Sequence, residues 1–215
     1  MNETANKCPL CGSQETTLFH KDRYRTYFMC PGCGLVHVPK QYHLSHEKEK
    51  HRYDLHNNDA EDEGYRRFLD KLVSPLVDRL NKGAEGLDYG SGPVPVLSEM
   101  LSERGFKMAL FDPCYAGDRS VLERNYDFLT CCETVEHFAD PEKEWKNMVG
   151  LVKKGGWMGI MTQMQESVDD FARWHYINDE THICFYSESA LKWIAGKYGM
   201  KAFFYNTSVV LFQVG

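Results

Sequence analysis

Residues 87–101, LDYGSGPVPVLSEML, carry the clearest structural signal in the chain. A short apolar strand runs into an acidic residue and two glycines, at positions 90 and 92, and a helix then begins on prolines. Glycine permits positive φ angles and lets a ligand approach the backbone closely. The start of a helix offers free N–H groups and the positive end of the helix dipole. The stretch predicts a turn that binds a nucleotide-like ligand, and an ordinary strand-to-helix connection is the alternative.

Strand and helix patterns alternate after this turn. The strand patterns are EGLDYG, FKMALFD, YDFLTCC, GGWMGIMTQ, KAFFYNT and SVVLFQV, and the helix patterns are PVPVLSEMLSERG, PEKEWKNMVGLV and SESALKWIAGKYG. Such alternation predicts an α/β fold with a doubly wound, mostly parallel sheet. The last two strands have almost no loop between them, so an antiparallel last strand is expected. Only 14 residues separate Asp112 from Asp127, which leaves room for a stunted element alone.

The second strand of this pattern ends at Asp112, 20 residues after Gly92. An acidic residue at this place can accept hydrogen bonds from both hydroxyl groups of a ribose. The alternative is that Asp112 caps the turn that begins at Pro113. A nicotinamide-dependent dehydrogenase would share the glycine turn, but its fingerprint requires glycine where Pro95 stands.

Four segments, LDYGSGP, FDP, YDFLTCCETVEHFADP and LVKKGGWMGIMT, follow one another in the order and spacing of a known family. Residues 64–215 resemble the class I S-adenosylmethionine-dependent methyltransferases, which implies a Rossmann-like domain and a methyl-transfer activity. The resemblance implies that Asp112 holds the ribose of S-adenosylmethionine and that Glu133 lies near its sulfonium group. The residues that it places around the methionine part are Asp88, Gly90 and Gly92.

The chain departs from the family pattern in two places. Val94 stands where a third glycine is usual, but this change removes no hydrogen-bond donor, so cofactor binding should survive it. The short connection after Asp112 leaves the adenine contacts unassigned.

The segment EGYRRFLDKLVSPLVDRL has apolar residues at helical spacing and predicts a helix before the sheet. Ser74-Pro75 either kinks this helix or restarts it. In the family this helix often covers the cofactor, so Arg66 is a candidate partner for the cofactor carboxylate. An exposed surface position is the alternative.

Two cysteine pairs, KCPLCGS and MCPGCGL, lie near the N-terminus with 18 residues between them. Four thiolates at this spacing can form the closed tetrahedral site of a zinc ribbon, with a structural rather than a catalytic zinc. So small a unit buries too little core to fold unaided, so the metal would supply folding energy. Free or disulfide-linked cysteines are the alternative. The predicted ligands are Cys8, Cys11, Cys30 and Cys33.

Two segments, CCETVEHF and WHYINDETHICFYS, concentrate titratable side chains where loops from strand ends gather. Methyl transfer from a sulfonium is an in-line displacement, and a base is needed only when the nucleophile must lose a proton. His182 is the preferred candidate for this base and His137 is the second. The alternatives are a structural hydrogen-bond partner at His182 and a helix-start residue at His137.

Charge is distributed unevenly along the chain, whose net charge is -6. Up to Arg52 there are eight Lys and Arg against five Asp and Glu, whereas the remainder has 17 against 26. Only the N-terminal part has the sign of a phosphate-binding surface, which favours a small-molecule substrate over RNA. An RNA-modifying methyltransferase that uses the basic ribbon stays open as an alternative. So does a non-catalytic cofactor-binding module whose ribbon docks a protein partner.

The patterns divide the chain into a zinc ribbon over residues 1–42, a polar linker or helix over 43–63, and a methyltransferase domain over 64–215. No run of about 18 apolar residues occurs, so no membrane span is predicted. The start of the chain lacks the pattern of a signal peptide. The expected compartment is the cytoplasm, where cysteines stay reduced.

Overall fold

A computed structural model describes residues 7–55, 59–165 and 168–215. Its larger sheet has six strands in the order β5-β4-β6-β7-β10-β9. β5, β4, β6 and β7 are parallel neighbours, whereas β10 runs antiparallel to both β7 and β9. The predicted mostly parallel sheet with an antiparallel last strand is therefore confirmed. The strands are β4 Glu85–Tyr89, β5 Lys107–Phe111, β6 Tyr126–Cys132, β7 Val152–Met161, β9 Lys201–Phe204 and β10 Val209–Gln213.

Helices cover both faces of this sheet. α2 (Glu63–Val77) and α3 (Val96–Glu103) share one apolar cluster with Phe128 and Leu211, and α4 (Pro141–Gly150) and α6 (Glu188–Tyr198) share the other. Alternate residues of β6 and β10 point to opposite faces, as the strand period of two requires. The sheet is thus doubly wound, and its strands are nearly continuous runs of buried residues.

α2 is a single helix that runs through Pro75 to Val77. The alternative in which Pro75 restarts the helix is therefore wrong. Asp62 caps the first turn, because its carboxylate accepts hydrogen bonds from the backbone N–H groups of Gly64 and Tyr65.

A second, smaller sheet joins the N-terminal segment to the rest of the chain. Its antiparallel order is β1-β2-β3-β8, formed by β1 (Thr17–Lys21), β2 (Thr26–Met29), β3 (Val36–His37) and β8 (Cys184–Phe185). The first three strands lie around the predicted zinc ribbon, but β8 comes from the far end of the sequence. The ribbon and the larger domain thus share one sheet.

The polar stretch over residues 43–63 contains a helix, α1 (His46–Tyr53), and residues 56–58 of it lie outside the described part. A further short helix, α5 (Val168–Phe171), follows β7. The short connection after β5 contains only a 3-10 helix at Arg119–Glu123, as its length predicts. None of the helices in the described ranges has both the length and the apolar character needed to cross a membrane.

Candidate active site

A cavity of about 1100 Å³ opens where β4, β5 and β6 end. Ligands of open parallel sheets bind beyond the carboxyl ends of the strands, so this is the expected place for one. One wall is formed by residues 88–92 with Asp112, and we call it the glycine wall. The other wall is formed by His137, Tyr176 and His182, and we call it the histidine wall.

The glycine wall has a tightly folded backbone. Gly90 has a φ angle of +85°, and a Cβ atom there would lie 2.3 Å from Cγ2 of Thr134. Gly92 has a φ angle of +65° and faces open space. Only glycine fits at Gly90, whereas at Gly92 the missing side chain leaves the backbone open to the cavity. Buried Oγ of Ser91, between them, has no hydrogen-bond partner among the described residues.

Asp112 lies at the end of β5 and contacts both the turn and the glycine wall. One carboxylate oxygen accepts from the backbone N–H of Gly92 at 3.0 Å. The other accepts from the N–H groups of Cys114 at 2.8 Å and Tyr115 at 3.1 Å. Asp112 therefore does cap the turn after β5, and its carboxylate also lines the cavity beside Gly92.

Asp88 lies beneath the glycine turn and is 2% exposed. Its carboxylate accepts hydrogen bonds from the hydroxyl groups of Thr130 at 2.8 Å and Ser98 at 3.0 Å. Burial raises the pKa of Asp88 to about 6, although these two hydrogen bonds oppose the shift. Asp88 thus links β4, β6 and α3 under the turn, while it also contributes to the cavity lining.

Glu133 follows β6 with a φ angle of +45°, the one positive φ of a non-glycine residue in the described ranges. Its N–H donates to the carbonyl of Met161 at 2.7 Å, which holds the backbone in this conformation. Strain of this kind costs roughly 1–3 kcal/mol and concentrates at functional sites. Its Oε1 atom is buried and has no hydrogen-bond partner within the described part of the chain. Burial and the nearby Glu136 raise the pKa of Glu133 to about 9, so its carboxyl group is protonated at neutral pH.

Tyr176 joins two carboxyl groups at the histidine wall. Its hydroxyl donates to Glu136, and the same hydroxyl oxygen lies 3.4 Å from Oε2 of Glu133. Glu136 is fully buried behind the wall and also accepts from the hydroxyl of Thr162 at 3.0 Å. Burial raises the pKa of Glu136, while His182 and these hydrogen bonds oppose the shift.

The two predicted histidines lie side by side. The ring centroids of His137 and His182 are 4.8 Å apart, and His182 also packs on the ring of Tyr176 at 4.1 Å. Nδ1 of His182 lies 2.8 Å from the carbonyl of Tyr176, and Nδ1 of His137 lies 3.1 Å from the carbonyl of Thr181. Because a carbonyl only accepts, Nδ1 carries the proton and Nε2 is the basic atom of each neutral ring. Burial lowers the pKa of His182, and so does His137.

Three side chains at this wall have the geometry of a metal site. Glu136, His137 and His182 each offer a ligand atom, and these atoms lie within 4.8 Å of one another. Two imidazoles and one carboxylate are typical ligands of divalent transition metals. The sequence motif EHF supplied two of these residues, but only the fold brings them to His182, 45 positions further on.

The four N-terminal cysteines also come together. Sγ of Cys8 lies 3.6 Å from that of Cys33, and Sγ of Cys11 lies 3.5 Å from that of Cys30. A tetrahedron with Zn–S bonds of about 2.3 Å has sulfur atoms about 3.8 Å apart, so the cluster fits zinc. All eight cysteines carry free thiols, which excludes the alternative of a disulfide between these pairs. The hydrogen bond with Cys33 lowers the pKa of Cys8 to about 5, against the effect of burial.

Arg66 is not among the described residues that line the cavity. It lies on α2, where its guanidinium pairs with Glu103 on α3. This position agrees with the alternative of a surface residue and gives no support to the predicted contact with a cofactor carboxylate.

Helix α1 also contributes to the site, although its sequence did not predict this. His46, Glu49 and Tyr53 of this helix line the cavity, and the ring of Tyr53 lies 5.3 Å from that of His137. The hydroxyl of Tyr53 donates to Glu49 at 2.8 Å. The signal in the sequence is the single aromatic residue of an otherwise polar helix, four positions after a glutamate.

Two solved structures share this fold. The PH0226 protein from Pyrococcus horikoshii superposes with a TM-score of 0.54 at 13% identity, over 78% of this chain and 99% of that chain. Human N-acetylserotonin methyltransferase, solved in complex with S-adenosylmethionine, gives a TM-score of 0.50 at 12% identity, over 68% of this chain and 52% of that one. Likeness at these identities shows the fold alone.

A family model described as "Methyltransferase domain" matches residues 62–202, well over half of the chain. The protein therefore belongs to this methyltransferase family. The ubiquinone biosynthesis O-methyltransferase of Proteus mirabilis is 28% identical over 85 residues, which cover 40% of this chain and 35% of that enzyme. The same enzyme of a Shewanella species is 28% identical over 91 residues, with 42% and 39% covered. The chain thus spans little more than a third of the length of these curated relatives.

Proposed function

We propose that this protein transfers the methyl group of S-adenosylmethionine to a hydroxyl oxygen of a small molecule. The observation that carries the proposal is the pair of adjacent imidazoles that line the same cavity as the glycine turn, with His182 buried and His137 partly buried, each oriented by a backbone carbonyl. The O-methyltransferase relatives support oxygen as the nucleophile.

The glycine wall suits the cofactor. Asp112 would accept from the ribose hydroxyls, and Gly90 and Gly92 would let the methionine part lie against the backbone. Two buried polar atoms without partners among the described residues, Oγ of Ser91 and Oε1 of Glu133, offer further hydrogen bonds at this wall. S-adenosylmethionine, when bound, supplies a methyl group that its positive sulfur has already activated.

The histidine wall suits the acceptor. With the cofactor bound, an oxygen lone pair of the acceptor would displace the sulfur from the methyl carbon, and the electron pair of the broken carbon–sulfur bond would stay on sulfur. The hydroxyl proton passes to Nε2 of His182, whose lowered pKa keeps the ring neutral and basic at neutral pH. Nδ1 is held by the carbonyl of Tyr176, which fixes the tautomer that this step needs.

The same wall offers a second way to activate the hydroxyl group. A divalent cation held by Glu136, His137 and His182 would lower the pKa of an acceptor hydroxyl by its charge. In that case the histidines act as ligands, and His182 does not take the proton. The two modes differ in their response to chelators.

The charge of the cavity favours a small molecule over RNA. The described lining holds seven carboxyl groups, of which only that of Glu133 is held protonated by burial and Glu136, against three Lys and Arg, so the phosphates of RNA would meet a mostly acidic surface. The carboxyl-bearing residues are Glu49, Asp88, Asp112, Glu133, Asp140, Glu144 and Asp179, and the cationic ones are Arg119, Lys143 and Lys146.

Calorimetry with S-adenosylmethionine and S-adenosylhomocysteine tests the cofactor part of the proposal, and we expect micromolar binding of both. Labelled cofactor is then incubated with the low-molecular-mass fraction of a cell extract and, separately, with total RNA. Label in an alkali-stable product of the first incubation supports the proposal. Label in RNA alone would overturn it, as would the lack of cofactor binding.

A repeat of the transfer assay after chelation, with Mg²⁺, Mn²⁺ or Zn²⁺ added back, separates the two activation modes. Native mass spectrometry of each sample counts the retained metal ions. We propose that one structural zinc is held by Cys8, Cys11, Cys30 and Cys33, so activity that disappears while one ion remains bound indicates a cation at the histidine wall.

A further inference from the structure

Residues 176–183, which we call the histidine segment, contribute three residues to the cavity lining but have little regular structure. The segment begins within a 3-10 helix at His175–Asn178 and ends just before β8. Within it the N–H of His182 donates to the carbonyl of Asp179 at 3.2 Å. Nδ1 of His182 also lies 2.8 Å from the carbonyl of Tyr176, and Thr181 donates to the carboxylate of Asp179. These bonds shape the segment locally, and contacts with other parts of the chain attach it to the fold.

Arg25, between β1 and β2, supplies many of these contacts. Nη1 donates to the carbonyls of Glu180 at 3.1 Å and His182 at 2.9 Å. Nη2 donates to the carbonyls of Ile177 at 2.6 Å and Asp179 at 3.1 Å. One guanidinium thus holds four carbonyls of the histidine segment, across 152 to 157 positions of sequence.

Every N–H donor of the Arg25 side chain has a hydrogen-bond partner. Arg25 is 7% exposed, and its remaining donor, Nε, lies 3.2 Å from the hydroxyl of Tyr27. That hydroxyl donates to Asp22 at 2.9 Å. Arginine has five N–H donors in a rigid fork, and all five are satisfied here. A buried charge with a complete set of partners indicates a specific structural task rather than an incidental contact.

The N-terminal segment also holds the other end of the histidine segment. The N–H of Val38 donates to the carbonyl of Ile183 at 2.9 Å, and β3 pairs with β8 immediately after it. Both attachments start close to the cysteine cluster, since β2 leads from Arg25 to Cys30 and β3 begins three residues after Cys33.

We infer that Arg25 is a positioning residue for the histidine wall and that the metal-bound ribbon, through Arg25 and β3, forms part of the active site. The ribbon thus has a task in the transfer reaction besides any docking of a partner. The inference rests on the proposed function for its consequence in catalysis, but the structural coupling itself is measurable without an acceptor.

Hydrogen exchange with peptide-level mass spectrometry tests this coupling in the full chain. In Arg25→Ala, we expect exchange in residues 176–183 to rise at least tenfold, while peptides from β4 and β6 keep their protection. The affinity for S-adenosylhomocysteine should change less than twofold, because the glycine wall is built from other elements. The control is Arg23→Ala, an exposed residue of the same hairpin whose guanidinium lies over Tyr24, and it should match the wild type.

Arg25→Lys keeps the positive charge but not the planar fork of donors, so we expect an intermediate rise in exchange. If Arg25→Ala does not fold, Arg25→Lys provides the test. Unchanged exchange in both variants would overturn the inference, and so would an equal rise in every peptide. Removal of the ribbon metal, checked by native mass spectrometry, should raise exchange in the same segment, and added zinc should restore it. A metal-free protein with full protection there would refute the coupling of the metal to this wall. Lost cofactor binding in the wild type would instead count against the proposed function.

Discussion

The two walls of the cavity are built in different ways. The glycine wall is made by the ends of adjacent parallel strands, and its hydrogen bonds join residues no more than 55 positions apart. The histidine wall consists of short 3-10 turns held by Arg25 and β3 from the other end of the chain. The glycine wall is therefore built within the large sheet, whereas the histidine wall depends on the N-terminal segment.

Replacement of His182 should produce the largest effect and would break the histidine wall alone. His182→Ala removes the proposed proton acceptor or metal ligand, so methyl transfer should fall roughly 10²–10⁴-fold. Affinity for S-adenosylhomocysteine, measured by calorimetry, should stay within about twofold. His175→Ala alters an exposed histidine beside the wall and should retain activity. Equal activity of the two variants would remove His182 from the reaction.

Asp88→Asn tests the buried carboxylate of the glycine wall and leaves the histidine wall unchanged. The folded-state pKa of about 6 exceeds the ordinary value of 3.8, so the folded protein binds more protons between these pH values. Stability should therefore fall as pH rises from about 4 to 6, by at most about 3 kcal/mol. Asn offers an oxygen to one of the hydroxyls of Thr130 and Ser98 and an NH2 group to the other, but it does not ionise, so this part of the pH dependence should disappear.

Urea denaturation at pH 4.5 and pH 7 measures this difference. Asp78→Asn, at an exposed position after α2, is the matched control and should leave the pH dependence unchanged. If Asp88→Asn and the wild type lose the same stability between the two pH values, the buried carboxylate is not the cause.

Gly90→Ala and Gly92→Ala divide the glycine wall into its two requirements. At Gly90 an added Cβ would meet Thr134, and the φ angle is also unfavourable, so we expect a loss of about 1–3 kcal/mol in stability and weaker cofactor binding. At Gly92 there is open space, so the strain of roughly 1 kcal/mol acts alone. Thermal unfolding and calorimetry compare the two, and a larger stability loss at Gly92 would contradict the steric argument.

Tyr53→Phe should have the smallest effect. It removes the hydrogen bond to Glu49 but keeps the ring beside His137, so the free energy of unfolding should fall by about 0.5–1.5 kcal/mol. Tyr53→Ala also removes the ring and should expose the histidine wall, which would appear as faster hydrogen exchange at residues 135–138. Equal exchange in the two variants would mean that α1 does not cover this wall.

The sequence predicted the glycine wall and its sheet because the information there is local. Strand periodicity, two glycines and an acidic strand end all lie within residues 85–112, and each has a direct structural meaning. The spacing of the four cysteines likewise predicted that they form one cluster, and their Sγ atoms do lie close together.

The histidine wall was only partly predictable. His137 and His182 stood out as titratable residues in aromatic surroundings, but nothing near them in the sequence points to Arg25. The pairing of β3 with β8 was equally hidden, because a two-residue strand has no period to detect. The contact of Arg66 with a cofactor carboxylate stays a prediction, and in the structure its guanidinium pairs with Glu103 instead of lining the cavity.

The shared small sheet sets a limit on where this chain can be cut. A polypeptide reduced to residues 64–215 would leave β8 as an open edge and the four carbonyls of the histidine segment without their donor. Such edges pair with other chains, so the shortened protein should self-associate even though its large sheet is complete. Evolutionary shuffling of this ribbon as an independent module would meet the same obstacle.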